Sequence, residues 1–225
     1  MPSILKEDLK MKNKKDLYLS LAMLSSFVIW TLLVIFVDVS DIGPLGSSVG
    51  LARVNSLFRD LFGVNFTLYI ITDYLGIVPI VIAAFFGFLG LGEWIKRKNI
   101  KKVDRDILLL GGLYFATVAA FLLFECLEIN YRPVLIDGHL EASYPSSTTL
   151  LTLCVMPSAA MQVRGRIKNS FAKRFLCVLI TVFTAFTVVF RILSGVHWFS
   201  DIVGGVLLAA GLVLAYRFFS RSNGE

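Results

Sequence analysis

The chain has 225 residues, of which 56% are hydrophobic, 13% aromatic and 17% charged, with a formal net charge of +6; its mean hydropathy is +0.76. Soluble domains carry nearer a quarter charged residues, and disordered chains combine low hydrophobicity with high charge, so both classes are excluded and a lipid-embedded protein is expected. Nucleic acid is excluded as a partner as well, because the positive charge falls between apolar runs and not along one soluble face.

In chain order, Lys6, Lys10, Lys12, Lys14 and Lys15 precede an uncharged apolar run at 17–37. That run is longer than a signal-peptide core, and no small-x-small cleavage site follows it, so it reads as a retained span. Residues 38–66 open with the turn-rich Gly43-Pro44-Leu45-Gly46-Ser47-Ser48. Leu51, Val54, Leu57, Phe58 and Leu61 then recur at helical spacing, with Arg53, Asn55, Arg59 and Asp60 between them. This predicts a short amphipathic helix, lying in the outer interface or packed on the bundle top. Further spans are expected at 68–92 (containing Pro79), 107–128, 146–163, 175–193 and 199–219, each near the ~20 residues that cross ~30 Å of hydrocarbon.

The loops set the orientation. Lys96, Arg97, Lys98, Lys101, Lys102 and Arg105 follow the second span, and Arg164, Arg166, Lys168, Lys173 and Arg174 follow the fourth. With the N-terminal lysines, Arg217 and Arg221, this puts 18 of the 22 basic residues on one side. The positive-inside rule then makes both termini cytoplasmic. The expected fold is all-α: a single domain over 1–225, a six-span transmembrane helical bundle in the cell membrane. Small residues at Gly204, Gly205, Ala209, Ala210 and Gly211 favour close helix packing, within the chain or between chains. Cys126, Cys154 and Cys177 lie in apolar stretches and form neither a disulfide framework nor a metal spacing.

Ionisable residues are costly in a membrane and mark function. They gather in two outer segments. One runs through Glu125, Glu128, Arg132-Pro133, Asp137, His139 and Glu141 to Pro145-Ser146-Ser147-Thr148 at the head of the fourth span. The other holds Arg191, Ser194, Gly195, His197, Trp198 and Asp201. His197 and Asp201 are four apart and share a helix face, so the carboxylate would orient the imidazole; a capping Asp201 beside an incidental His197 would look the same. Ser146, Ser147 and Thr148 offer hydroxyls and open N–H groups to an anion, or simply cap a helix. Two arginines, a helix N-terminus and a His/Asp pair on one membrane face together describe a phosphate site with a nucleophile. No metal or other cofactor is expected, since two distant His and scattered acids give no ligand set. A serine hydrolase is not expected either, since no G-x-S-x-G occurs.

These residues resemble the type-2 phosphatidic acid phosphatase superfamily of integral lipid phosphatases, whose pattern is K-x6-R-P, then P-S-G-H, then S-R-x5-H-x3-D. Arg132-Pro133, Pro145-Ser146, and Arg191, His197 and Asp201 match in order and spacing. The resemblance implies that His197 attacks phosphorus to form a phosphohistidine and that Asp201 orients it. It also implies that Arg132, Ser146 and Arg191 hold the phosphoryl oxygens, with Ser147 and Thr148 beside them. Four positions depart from the pattern: Glu125 stands for the Lys of the first motif, Ser147 and Thr148 for the Gly and the acid His of the degenerate second, and Phe190 for the Ser before Arg191 in the third.

The implied function is hydrolysis of a lipid phosphate or diphosphate at the outer face. Three accounts of the lost acid stay open. His139, or a neighbouring Asp137 or Glu141, donates the proton; or a diphosphate substrate needs no donor; or the site binds or transports an anionic lipid headgroup without catalysis. Phosphotransfer between lipids is a further alternative. Glu125 has no assigned role.

Overall fold

The computed structural model describes residues 3–221, with side chains from residue 14 onward. Lys6, Lys10, Lys12 and the two chain ends, on which part of the orientation argument rests, lie outside the described side chains and residues. Eight α-helices follow one another: α1 Ser3–Phe36, α2 Ala52–Phe62, α3 Phe66–Leu75, α4 Ile77–Arg97, α5 Arg105–Leu127, α6 Ser147–Arg166, α7 Ser170–Leu193 and α8 Phe199–Arg221. Among the described residues there are no strands beyond isolated bridges.

Among the described residues, five stretches are long and apolar enough to cross a membrane: Lys14–Phe36, Phe66–Arg97, Arg105–Leu127, Ser170–Leu193 and Phe199–Arg221. The expected fourth span is α6, which is long enough but less apolar. Its position explains this. Ten of its 20 residues are buried, among them Thr149, Thr152, Ser158 and Gln162, and it packs against α4, α5, α7 and α8. A helix shielded by other helices answers to protein and not to lipid, so it tolerates polar groups that a lipid-facing span does not.

The expected second span, 68–92, needs correction. It begins at Phe66, capped by the Asn65 side chain accepting from the Leu68 N–H at 3.0 Å, and it breaks at Gly76 into α3 and α4. Pro79 accounts for the break. It has no N–H to offer the Leu75 carbonyl, and its ring crowds that carbonyl, so the helix restarts with Pro79 in its first turn.

The first and last helices hold the bundle together. α1 runs antiparallel to α8: Asp16 meets Arg217 and Arg221 at 2.8 and 2.9 Å, Ser20 Oγ donates to the Gly211 carbonyl, and Trp30 Nε1 donates to the Ser200 carbonyl. The small residues of α8 serve packing within the chain. A Cβ on Gly211 would meet Leu24 at 2.6 Å, and one on Gly204 would meet the Tyr144 ring at 2.7 Å.

At one end of the bundle, α2 and the α7–α8 turn interlock. The Asn65 N–H donates to the Ser194 carbonyl at 2.9 Å. Gly195, at φ 65°, lies so close to the Gly63 carbonyl that a Cβ there would stand 1.9 Å from its oxygen. Gly195→Ala is therefore expected to cost about 2–4 kcal/mol, from backbone strain and overlap together. Gly165→Ala, with open space around it in α6, should change stability by less than about 1 kcal/mol. Thermal unfolding of both variants in detergent checks the contrast.

Candidate active site

Three segments deliver the site. The first follows α5. A turn with positive φ at both Asp137 (48°) and Gly138 (81°) folds residues 131–142 into a small hairpin, bridged at Tyr131–Ala142 and Ile136–His139. The Arg132 N–H donates to the Glu141 carbonyl at 3.0 Å. The two side chains are thus cross-strand neighbours, and Arg132 Nε donates to Glu141 Oε2 at 2.9 Å.

The second segment enters α6. Tyr144 is buried under Gly204 and shares a 2.7 Å hydrogen bond with Thr31; the Tyr144–Pro145 peptide is cis. The next N–H, that of Ser146, donates to the Asp201 carbonyl at 3.0 Å, which ties the head of α6 to α8. The third segment is the α7–α8 turn, where Arg191, Ser194, His197, Trp198 and Asp201 are all buried. Trp198 Nε1 donates to the Tyr131 carbonyl at 2.7 Å and so joins this turn to the hairpin.

The three segments meet at His197 Nε2. Arg132 Nη1 lies 3.0 Å from it and Arg191 Nη2 lies 3.2 Å from it. A guanidinium only donates, so Nε2 must accept, and the imidazole carries its hydrogen on Nδ1. Nδ1 faces Asp201 Oδ2 at 3.7 Å, longer than a hydrogen bond, and is buried without a hydrogen-bond partner among the described residues. Burial first, then the charges of Arg132 and Arg191, hold the imidazole pKa well below its ordinary 6.5, against an opposing contribution from the Ser143 backbone. His197 is therefore a neutral imidazole with its lone pair on Nε2.

Asp201 is wholly buried. Its carboxylate accepts from the Trp198 N–H at 3.0 Å and from Asn130 Nδ2 at 3.2 Å. Asn130 also accepts from the Gly50 N–H, and its carbonyl accepts from Ser143. Arg191, with 1% exposure, donates to Thr72 Oγ1 at 3.2 Å and pairs with Asp73 at 3.6 Å. The Tyr69 ring lies 5.1 Å from the Arg191 guanidinium and 5.9 Å from that of Arg132.

Of the residues expected from the sequence, Arg132, Arg191, His197 and Asp201 come together, with Ser146 and Ser147 adjoining. Ser146 Oγ is buried and unpartnered. Ser147, Glu125, Arg132, Glu141 and His197 line one cleft of about 170 Å³, walled by Phe121 and Phe124. Thr148 does not line it; its methyl faces the α3–α4 break at Gly76.

His139 lies outside this cleft. It is exposed at the hairpin tip, beside Asp137 and Gly138, and lines neither cavity that reaches His197. The Asp-Gly turn projects the tip away from the paired base where Arg132 sits. Sequence reasoning missed Asn130, Tyr69, Thr72 and Asp73. The only available signal for the last three was their i, i+3, i+4 spacing on one helix face. Among the described residues no group of three or more His, Cys, Asp or Glu is placed to hold a metal ion.

Asn130→Ala removes the shorter of the two side-chain hydrogen bonds to the buried Asp201, at 3.2 Å against 3.5 Å from Ser200 Oγ. It should lower stability by about 1–3 kcal/mol, measured as a loss of thermal stability in detergent. The exposed His139→Ala should stay within about 0.5 kcal/mol of wild type.

The model of the PAP2 superfamily matches residues 113–224, which include every residue of the three-part pattern. The fold is similar to that in the crystal structure of the first transmembrane PAP2 type phosphatidylglycerolphosphate phosphatase from Bacillus subtilis, with a TM-score of 0.63 at 18% identity over 92% of this chain and 98% of that one. No curated protein matches the chain in sequence. With its ordered Arg132, Arg191, His197 and Asp201, its all-helical fold and its several apolar spans, this multi-pass membrane protein belongs to the PAP2 superfamily.

Proposed function

We propose that the protein hydrolyses a lipid phosphate at the outer membrane face through a phosphohistidine on His197. The observation that carries this reading is the convergence of Arg132 and Arg191 on Nε2, at 3.0 and 3.2 Å. A nitrogen with a lone pair, flanked by two fixed guanidiniums, offers attack on phosphorus and charge stabilisation at the same point. The Nδ1 hydrogen faces Asp201, which stabilises the imidazole as positive charge develops on it. The unpartnered Ser146 hydroxyl and the open N–H groups at the head of α6 take the remaining phosphoryl oxygens. The Bacillus subtilis neighbour is named for phosphatidylglycerolphosphate, which supports a phosphate monoester on a lipid glycerol as the substrate class.

A second reading has an observation of its own. Thr148 stands where the family carries its acid His, and it faces away from the cleft. A lipid diphosphate, whose leaving group is stable as an anion, would need no donor. A site that has lost catalysis would bind lipid phosphates and release nothing.

His197→Ala should abolish phosphate release from lipid phosphates, and Asp201→Asn should lower it by roughly 10²-fold or more. Near-wild-type turnover in folded His197→Ala removes the mechanism. Binding without turnover in wild type supports the non-catalytic site. The pH dependence follows from the depressed His197 pKa. The folded imidazole stays neutral below pH 6.5, so kcat/KM should persist there and fall only as pH drops through the lowered value. Arg132→Gln removes one cation, raises that pKa and should move the acid limb upward. The sign for stability is the same: the unfolded chain takes up this proton more readily, so stability falls as pH drops below 6.5.

Six crossings with both termini cytoplasmic complete the proposal, with α6 as the fourth in chain order, added to the five apolar stretches. In a background without Cys126, Cys154 and Cys177, an impermeant thiol reagent should label Gly138→Cys in intact cells and spare Ser170→Cys. The opposite pattern reverses the orientation.

A further inference from the structure

We propose that Glu125 is the proton donor to the leaving oxygen, an assignment that rests on the phosphohistidine reading above. His197 borders two cavities. The one on the Trp198 side encloses only about 10 Å³, too little for any leaving group. The cleft of about 170 Å³ between Phe121, Phe124 and the head of α6 is where the departing lipid oxygen must lie.

Five titratable side chains line that cleft: Glu125, Arg132, Glu141, Tyr144 and His197. Four are already committed. His197 supplies the lone pair. Arg132 does not release a proton. Glu141 Oε2 is occupied by Arg132 Nε, which donates to it at 2.9 Å. Tyr144 is bonded to Thr31, and burial pushes its hydroxyl well above its ordinary value of 10.0. Glu125, in the last turn of α5, makes no hydrogen bond or ion pair among the described residues. A phosphate dianion and a free carboxylate facing each other repel, and one proton on the carboxyl group removes that repulsion.

The cycle closes with water alone. The Nε2 lone pair forms the N–P bond as the P–O bond to the lipid breaks, and the Glu125 carboxyl passes its proton to the departing oxygen, giving a neutral alcohol. The Glu125 carboxylate then takes a proton from water as that water attacks phosphorus. The N–P bond breaks, its electron pair returns to Nε2, inorganic phosphate leaves, and Glu125 is protonated again.

The test uses the full-length protein in detergent with two esters, a diacylglycerol phosphate and 4-nitrophenyl phosphate. Only the alkoxide of the first needs a proton to leave. Glu125→Gln should lower kcat/KM for the lipid ester by ~10²–10⁴, the range of a general acid, and slow the first release of nitrophenolate by less than about tenfold. Glu125→Asp, which keeps the acid one methylene shorter, should recover part of the lipid activity. Glu141→Gln, which loosens Arg132, should lower both substrates by a similar factor. With wild type active on both esters, equal losses in Glu125→Gln, or wild-type turnover of the lipid ester, overturn the donor assignment. Wild type inactive on both overturns the phosphatase reading and the donor with it.

Discussion

Arg132 and Arg191 place two positive charges within hydrogen-bonding distance of one imidazole nitrogen, in a part of the molecule from which water is largely excluded. Like charges so close are unfavourable without compensation. Glu141 answers Arg132 across the hairpin, Asp73 and Thr72 answer Arg191 from α3, and the Tyr69 ring lies against both guanidiniums. Burial and the two guanidiniums keep the imidazole itself neutral in this arrangement. Two guanidiniums fixed at one point make an arrangement that an anion would complement.

That balance depends on elements far apart in the chain arriving at fixed positions. Asp201 is the hub. Its backbone carbonyl holds Ser146, and its carboxylate holds Trp198 and Asn130. Asn130 in turn ties the end of α5 to Gly50 and Ser143. The α1–α8 pairing, anchored by Asp16 at one end and Trp30 at the other, keeps the head of α8 in place against these attachments. A buried carboxylate is tolerable because every donor aimed at it also fixes a neighbouring segment.

Much of this was legible in the sequence, for reasons that differ by residue. Arg191, His197 and Asp201 belong to one turn and one helix face, so their spacing alone brings them together. The apolar runs mark α1, α5, α7 and α8 because those helices face lipid. α6 was recognised by length, although its buried polar residues blur the apolar signal. The break at Gly76 follows from Pro79, whose cost to a helix falls on the residues before it. Tyr69, Thr72 and Asp73 were not legible as site residues, because their shared partner Arg191 lies more than a hundred positions away and only the fold joins them. His139 stands out in the sequence as a titratable group on the loop that carries Arg132. The Asp137-Gly138 turn signal beside it carried the information that it sits at a tip.

α2 reconciles two readings that looked exclusive. Asn55 and Phe58 face the bundle: Asn55 bonds Ser200 through both its oxygen and its nitrogen, and Phe58 stacks on Phe199 at 3.8 Å. Val54, Leu57 and Leu61 remain exposed on the other side. The polar Asn55 is thus the buried residue, and the leucines are the ones left outward, the reverse of a helix that merely covers a core. An outward apolar face costs free energy in water and none in lipid, so the membrane itself would hold α2 down. Because Asn55 grips Ser200, the residue next to Asp201, the seating of α2 on the bundle and the position of the carboxylate behind His197 are mechanically linked.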